Sequence, residues 1–278
     1  MSLHEYRSRD GVIVYTKRGL GDPLLLVHGI YPGASHHEFD LNAAAWQGRF
    51  TVYAVDLLGF GQSDAPRRAH SAQMHQHLLR DLLKEVIAAP AAVVGSGDSA
   101  GIAARLGVYD DAWITKLVLL APPNKPVYHE PPGLGDRFSQ FLLGTLAVGT
   151  GHYTNAASRD GLREFLRESY HDRRAITPQI VDQMFVEANE PNKMMPYISS
   201  LCGYFDTDLA NWLPYVRRPT QIVVGRDQLP VPQEKWLKPA QWSMGKRLDV
   251  VDDTRDFPHQ ERSAAVNELV LKFLTNTG

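Results

Sequence analysis

Residues 93–101 read VVGSGDSAG, and the alanine-rich stretch IAARLGVY (102–109) follows directly. An apolar run, a cluster of small and polar residues, then a helix-forming segment spell strand, tight turn, helix. Gly97-Asp98-Ser99-Ala100-Gly101 is a formal G-x-S-x-G. That pattern places a serine nucleophile on a strained strand-to-helix turn, with its hydroxyl exposed above a sheet. A second frame overlaps it: Gly95-Ser96-Gly97-Asp98-Ser99, with Gly97 at the centre. In the first frame Ser99 is the nucleophile. In the second, the turn is held by a glycine, which adopts such a backbone without steric cost but cannot attack a carbonyl.

Outward from this stretch, apolar runs recur at 24–27 (LLLV), 51–56 (TVYAVD), 116–122 (KLVLLAP) and 220–225 (TQIVVG), with GVIVYT (11–16) and RLDVVDD (247–253) as flanking strands. Short continuous apolar runs suit parallel strands buried on both faces. Between them lie helical patterns. In 70–89, Met74, Leu78, Leu82 and Val86 recur every four residues. ERSAAVNELVLKFL (261–274) is amphipathic and closes the chain. Strands alternating with helices predict an α/β fold with a mostly parallel central sheet and helices on both faces.

From about Asn124 to Trp212 the rhythm becomes helical: 131–136, 137–148, 160–170 and 178–188, the last opened by a hydroxyl cap and a proline, Thr177-Pro178. The expected organisation is a core of residues 1–123 and 213–278, with a helical cap at 124–212. Ligands bind outside the carboxyl ends of strands in such sheets, where a helical insertion would form a roof.

The chain has 278 residues, 44% apolar and 22% charged, which suits one large globular unit. Its formal net charge of -2 gives no electrostatic case for nucleic acid or an anionic membrane. Cys202 is the only cysteine, so no internal disulfide can form. The polar start MSLHEYRSRDG lacks the apolar run of a signal peptide, and no apolar stretch is long enough to span a bilayer. The expectation is a cytoplasmic monomer or homodimer.

The combination of LLLVHG (24–29), VDLLGFGQSD (55–64), VVGSGDSAG, GRDQLPVP (225–232) and DFPHQER (256–262) resembles the α/β-hydrolase superfamily. The resemblance covers nearly all of the chain outside the helical insertion. It implies that His28-Gly29 form a tight turn and that the backbone N–H of Ile30 faces an oxyanion. The common family elbow V-G-H-S-x-G-G, with its following helix and strand, fits Val94 to Pro123 without a gap. Ser96 then takes the histidine position, Gly97 the serine position, and Asp98 the variable one. The Ser99 frame instead needs two extra residues before the turn, a rotation of about 200° for the helix behind it.

The resemblance places Asp227 in the acid slot; the alternative is a turn-capping aspartate. Asp256 stands where the catalytic histidine belongs. His259 matches a second histidine that is usually structural, so it is the base only if the loop is shifted. Triad members act as a unit, so altered nucleophile and base slots remove most of that mechanism's advantage. Asp98, Asp227 and Asp256 are expected near one pocket mouth, where crowded carboxylates can supply acid–base chemistry. Alternatively, Arg226 and Arg255 pair with their neighbouring aspartates as surface charge. No histidine or cysteine spacing supports a metal site, and no cofactor is expected.

The insertion is rich in aromatic residues and methionines, among them Phe138, Phe141, Phe165, Tyr170 and Met194. Such residues are core or the lining of an apolar pocket. His36 and His37 could face that pocket or be solvated. The expected partner is a small, largely apolar carbonyl compound. Three readings stay open: a hydrolase using Ser99, a non-hydrolytic acid–base enzyme using aspartates (of lyase, cyclase or decarboxylase type), and an inactive ligand-binding module.

Overall fold

The computed structural model describes residues 2–123, 133–145, 147–207, 209–228 and 245–276. Eight strands form one sheet: β1 (Ser2–Ser8), β2 (Gly11–Arg18), β3 (Asp22–Val27), β4 (Phe50–Val55), β5 (Ala91–Ser96), β6 (Ile114–Leu120), β7 (Thr220–Gly225) and β8 (Lys246–Val251). Their order is β1-β2-β4-β3-β5-β6-β7-β8. β1 pairs antiparallel with β2, and β2 antiparallel with β4; every other pairing is parallel.

The continuous apolar strands are explained by a core on each face. In β3, Leu25 and Val27 enter one core while Leu24 and Leu26 enter the other. In β5, Ala91 and Val93 separate from Ala92 and Val94 in the same way. This is the two-residue alternation of a pleated strand, with both faces covered. One core is closed by α2 (Ala72–Leu82) and α3 (Asp98–Tyr109), through Leu78, Leu79, Leu82, Ile102 and Leu106. The other is closed by α1 (Asp40–Trp46) and the final helix, through Trp46, Val266, Val270 and Leu274.

Among the described residues, six α-helices lie between β6 and β7: α4 (Leu134–Thr145), α5 (Ala147–Ala156), α6 (Arg159–Ser169), α7 (Pro178–Ala188), α8 (Met194–Leu201) and α9 (Leu209–Trp212). After β8 come α10 (Pro258–Glu261) and α11 (Ser263–Thr275). Thr177 caps α7 by accepting the Ile180 N–H, as its hydroxyl before a proline predicts. Leu162, Leu166, Val181 and Met184 of α6 and α7 pack with Phe257 of the loop after β8 and against Tyr31 of the loop after β3. This cluster fastens the helical segment to two loops at the carboxyl edge of the sheet. No helix among the described residues is long and apolar enough to cross a membrane.

Candidate active site

The strand-to-helix turn after β5 falls at Gly97. Its φ of 54° and ψ of −130° lie outside the basins open to residues with a side chain. The Gly97 N–H donates to the Leu120 carbonyl at 2.9 Å, and its own carbonyl accepts from Ala100 N–H, starting α3. The neighbouring small residues have separate reasons. A Cβ on Gly95 would strike the Ser99 carbonyl, because the first turn of α3 folds back over the end of β5. A Cβ on Gly101 would strike Thr207. Gly101 thus permits helix packing and has no part in the turn. A Cβ on Gly97 would meet only the Cα of Gly29, at 3.8 Å, so the nucleophile position faces open space.

Ser99 lies inside α3, fully buried, and its Oγ has no hydrogen-bond partner among the described residues. Asp98, at the first position of α3, is partly exposed. Ser96 ends β5, is 1% exposed, and lies close enough to the Glu38 carboxyl to help lower its pKa.

The loop after β3 is fixed by His28. Its Nε2 accepts the Leu57 N–H at 3.1 Å, which makes Nδ1 the protonated nitrogen, donating to the Gly29 carbonyl at 2.7 Å. Burial pushes its pKa down, so the ring is a neutral brace. A Cβ on Gly29 would lie 2.9 Å from the Tyr31 ring. Ile30 is 8% exposed and belongs to the core around α2 and α3.

Glu38 organises this end of the sheet. Its Oε2 accepts the Gly29 N–H at 2.8 Å and the Tyr31 hydroxyl at 2.7 Å. Its Oε1 lies 3.1 Å from His259 Nε2; the two atoms are close but not aligned as a hydrogen bond. Both side chains are fully buried. Burial alone would raise the Glu38 pKa, but His259, Ser96 and the Gly29 N–H outweigh it and hold the carboxyl below its usual range. Tyr31 is driven the other way, by burial and then by Glu38, and stays protonated. His259, stacked on Phe39 at 5.2 Å, is therefore occupied in a buried pair.

Asp227 follows β7, and its N–H donates to the Thr254 carbonyl at 3.1 Å. Its carboxylate lies 2.6 Å from Nδ1 of His171, which comes from the end of the helical segment's α6. The Asp256 N–H donates to the carbonyl of Ser169, so the same stretch runs beside the position expected for a base. Arg226 pairs with Asp252, and Arg255 donates to the Glu168 carbonyl. His36 is buried against Asp56, and His37 pairs with Asp40. Among the described residues no group of three or more His, Cys, Asp or Glu side chains could hold a metal ion.

A cavity of about 330 Å³ opens between the 31–41 loop, α6, α7 and the 257–260 loop. Tyr31, Glu38, Tyr170, Met184, Phe257 and Gln260 line it. It is aromatic with one buried carboxylate at its wall, and of a size that takes a small molecule. Phe138 and Phe141 are 65% and 64% exposed, and neither lines this cavity.

Sequence reasoning missed Glu38, Tyr31 and His171. Glu38 sits in a short polar loop with no periodicity, and its partners come from the loop after β3, from β5 and from α10. Only the SHHEFD context, a polar cluster just after a glycine turn, could have drawn attention to it.

Residues 24–269 match the model of the alpha/beta hydrolase family. An uncharacterised protein of Mycobacterium tuberculosis is 31% identical over 127 residues, 43% of this chain; the match spans only 33% of that relative's length. The 2-hydroxy-6-oxo-6-(2'-aminophenyl)hexa-2,4-dienoic acid hydrolase of Metapseudomonas resinovorans is 22% identical over 88% of this chain and 79% of its own. The solved structure of a serine hydrolase involved in carbazole degradation superposes with a TM-score of 0.80 at 17% identity, covering 99% of each chain, a likeness of fold. With the strand order, the elbow and a family match over most of its length, the chain belongs to the alpha/beta hydrolase family.

Proposed function

We propose that this chain is an enzyme that binds a small, largely apolar carbonyl compound beneath the helical segment and turns it over without a seryl intermediate. The observation that carries this reading is Gly97 at the turn where a nucleophilic side chain would stand. Ser99 supports it from the other side, since a fully buried hydroxyl inside α3 has no path to a substrate. The acid–base work falls to side chains beyond the carboxyl ends of β5, β7 and β8, with Asp98, Asp227 and Asp256 among them. A proton moved to or from a carbon beside a carbonyl needs a positioned base and a site for negative charge on oxygen, with no covalent step. The backbone N–H of Ile30 is the donor we assign to that oxygen. The relative from Metapseudomonas resinovorans is named for a keto-dienoic acid carrying an aromatic ring. That compound class matches an aromatic-lined cavity and is the first to try.

Intact-mass analysis after treatment with a fluorophosphonate tests the reading, together with turnover of aryl keto-dienoic acids followed by absorbance. The expected result is turnover with no adduct. An adduct that disappears in Ser99→Ala would make the protein a serine hydrolase. Saturable binding with no turnover across the series would make it a binding protein.

A further inference from the structure

We propose that His171, held by Asp227, is the general base of this site, supplied from the helical segment in place of a histidine after β8. This rests on the reading above that the chain is an enzyme. His171 Nδ1 lies 2.6 Å from Asp227 Oδ2. The two atoms are close but not aligned as a hydrogen bond, and both side chains are about two-fifths exposed. A carboxylate beside an imidazole stabilises the imidazolium that forms when the ring acts as a general base.

The backbone carrying His171 is pinned to the loop after β8. The Ser169 carbonyl accepts the Asp256 N–H at 3.0 Å. Glu261 Oε2 accepts the N–H of His171 at 2.7 Å and of Asp172 at 3.2 Å, while its Oε1 accepts the Arg255 N–H at 2.8 Å. Arg255 closes the clamp through the Glu168 carbonyl at 2.7 Å, and the Tyr170 hydroxyl hydrogen-bonds to Gln260. A lone exposed ion pair is worth little and needs no such scaffold. Here these contacts hold the stretch 168–172, and with it the His171 backbone, against the loop after β8. His259, the histidine that sequence alone offered, is fully buried against Glu38.

In the reaction, His171 Nε2 takes a proton from the carbon beside the bound carbonyl. The C–H electron pair moves into the new C–C double bond, and the carbonyl electrons go to oxygen. The imidazolium formed lies beside the Asp227 carboxylate. Where the substrate carries a second double bond conjugated to the enolate, the oxygen's electrons re-form the carbonyl, the double bonds shift along, and the far carbon takes the proton back from the imidazolium.

The test uses the open space at Gly97. In Gly97→Ser, the introduced hydroxyl attacks a fluorophosphonate, fluoride leaves, and the hydroxyl proton passes to the base within reach. We expect Gly97→Ser to gain a single adduct by intact mass. Adding His171→Ala should slow labelling about 100-fold or more, the usual worth of a positioned base. Adding Asp227→Asn should slow it by less. His171 is half exposed, so its removal leaves the fold intact, which circular dichroism verifies. Equal labelling rates with and without His171 overturn the proposal, as does a folded Gly97→Ser protein that takes no adduct. Wild-type protein run in parallel separates the two failures: an adduct there refutes the serine-free reading itself, whatever the double variants do.

Discussion

At the scale of single residues, the three glycines of the elbow stretch do different work, and substitution separates them. Gly97 needs its backbone angles and has room for a side chain; Gly101 has ordinary helical angles and no room. Gly97→Ala should cost about 1–3 kcal/mol from strain alone. Gly101→Ala gains helix propensity but must displace Thr207, and should cost about 2 kcal/mol or more in urea denaturation. A Gly97→Ala variant as stable as the wild type would mean the turn belongs to the other frame. Glu38→Ala strips a buried partner from His259 and should cost about 3 kcal/mol, the scale for breaking a buried pair. At this scale the sequence was half legible. Two overlapping frames could be written down, and the gapless one matches where the turn falls. Glu38 and His171 were invisible because each acts through a partner brought close only by the fold.

At the scale of elements, legibility followed burial. β3, β5, β6 and β7 are buried on both faces and read as unbroken apolar runs, while β1 is an exposed polar edge strand that resembles a loop in sequence. α1 was missed because seven residues are too few to show a helical period. α2 was expected over 70–89; its α-helical part ends at Leu82, and a wider π-turn carries it to Ile87. The same helix holds a polar residue that the apolar pattern could not flag. His75 is fully buried, stacks on Phe205 at 5.4 Å, and has no partner for either ring nitrogen among the described residues. An unpartnered buried polar group costs about 1–3 kcal/mol. His75→Phe should therefore stabilise the protein by about 1–2 kcal/mol, seen as a rise in Tm of a few degrees. A fall in Tm would mean that the ring nitrogens are satisfied by water.

For the whole molecule, these buried rings set the response to acid. His28, Phe60, His75 and His70 form a row under the carboxyl edge of the sheet, with successive ring centroids 5.2, 6.5 and 5.7 Å apart. Burial lowers the pKa of all three histidines: His70 to about 4, His75 well below 6.5, and His28 in the same direction. Each is neutral in the fold, whereas the unfolded chain takes up protons near 6.5. Between 6.5 and the folded values the unfolded state binds more protons, so stability must fall as pH drops through that window. His70 alone, shifted from 6.5 to about 4, accounts for roughly 3 kcal/mol by the bottom of it. His37 opposes this, since its bond to Asp40 raises its pKa, but that pair is part-exposed and screened. Below about 4.5 the depressed carboxyls Glu38 and Asp56 add a second loss as they protonate. The urea midpoint should thus fall steadily from pH 7.5 to pH 5, and His70→Gln with His75→Phe should flatten that slope while leaving the loss below 4.5 in place. A wild-type midpoint that stays level between pH 7.5 and 5 would mean that the row is hydrated. The helical segment, whose α8 sets the Pro196 ring over Gly59 and the Ser199 hydroxyl on the His70 N–H, would then be opening to solvent.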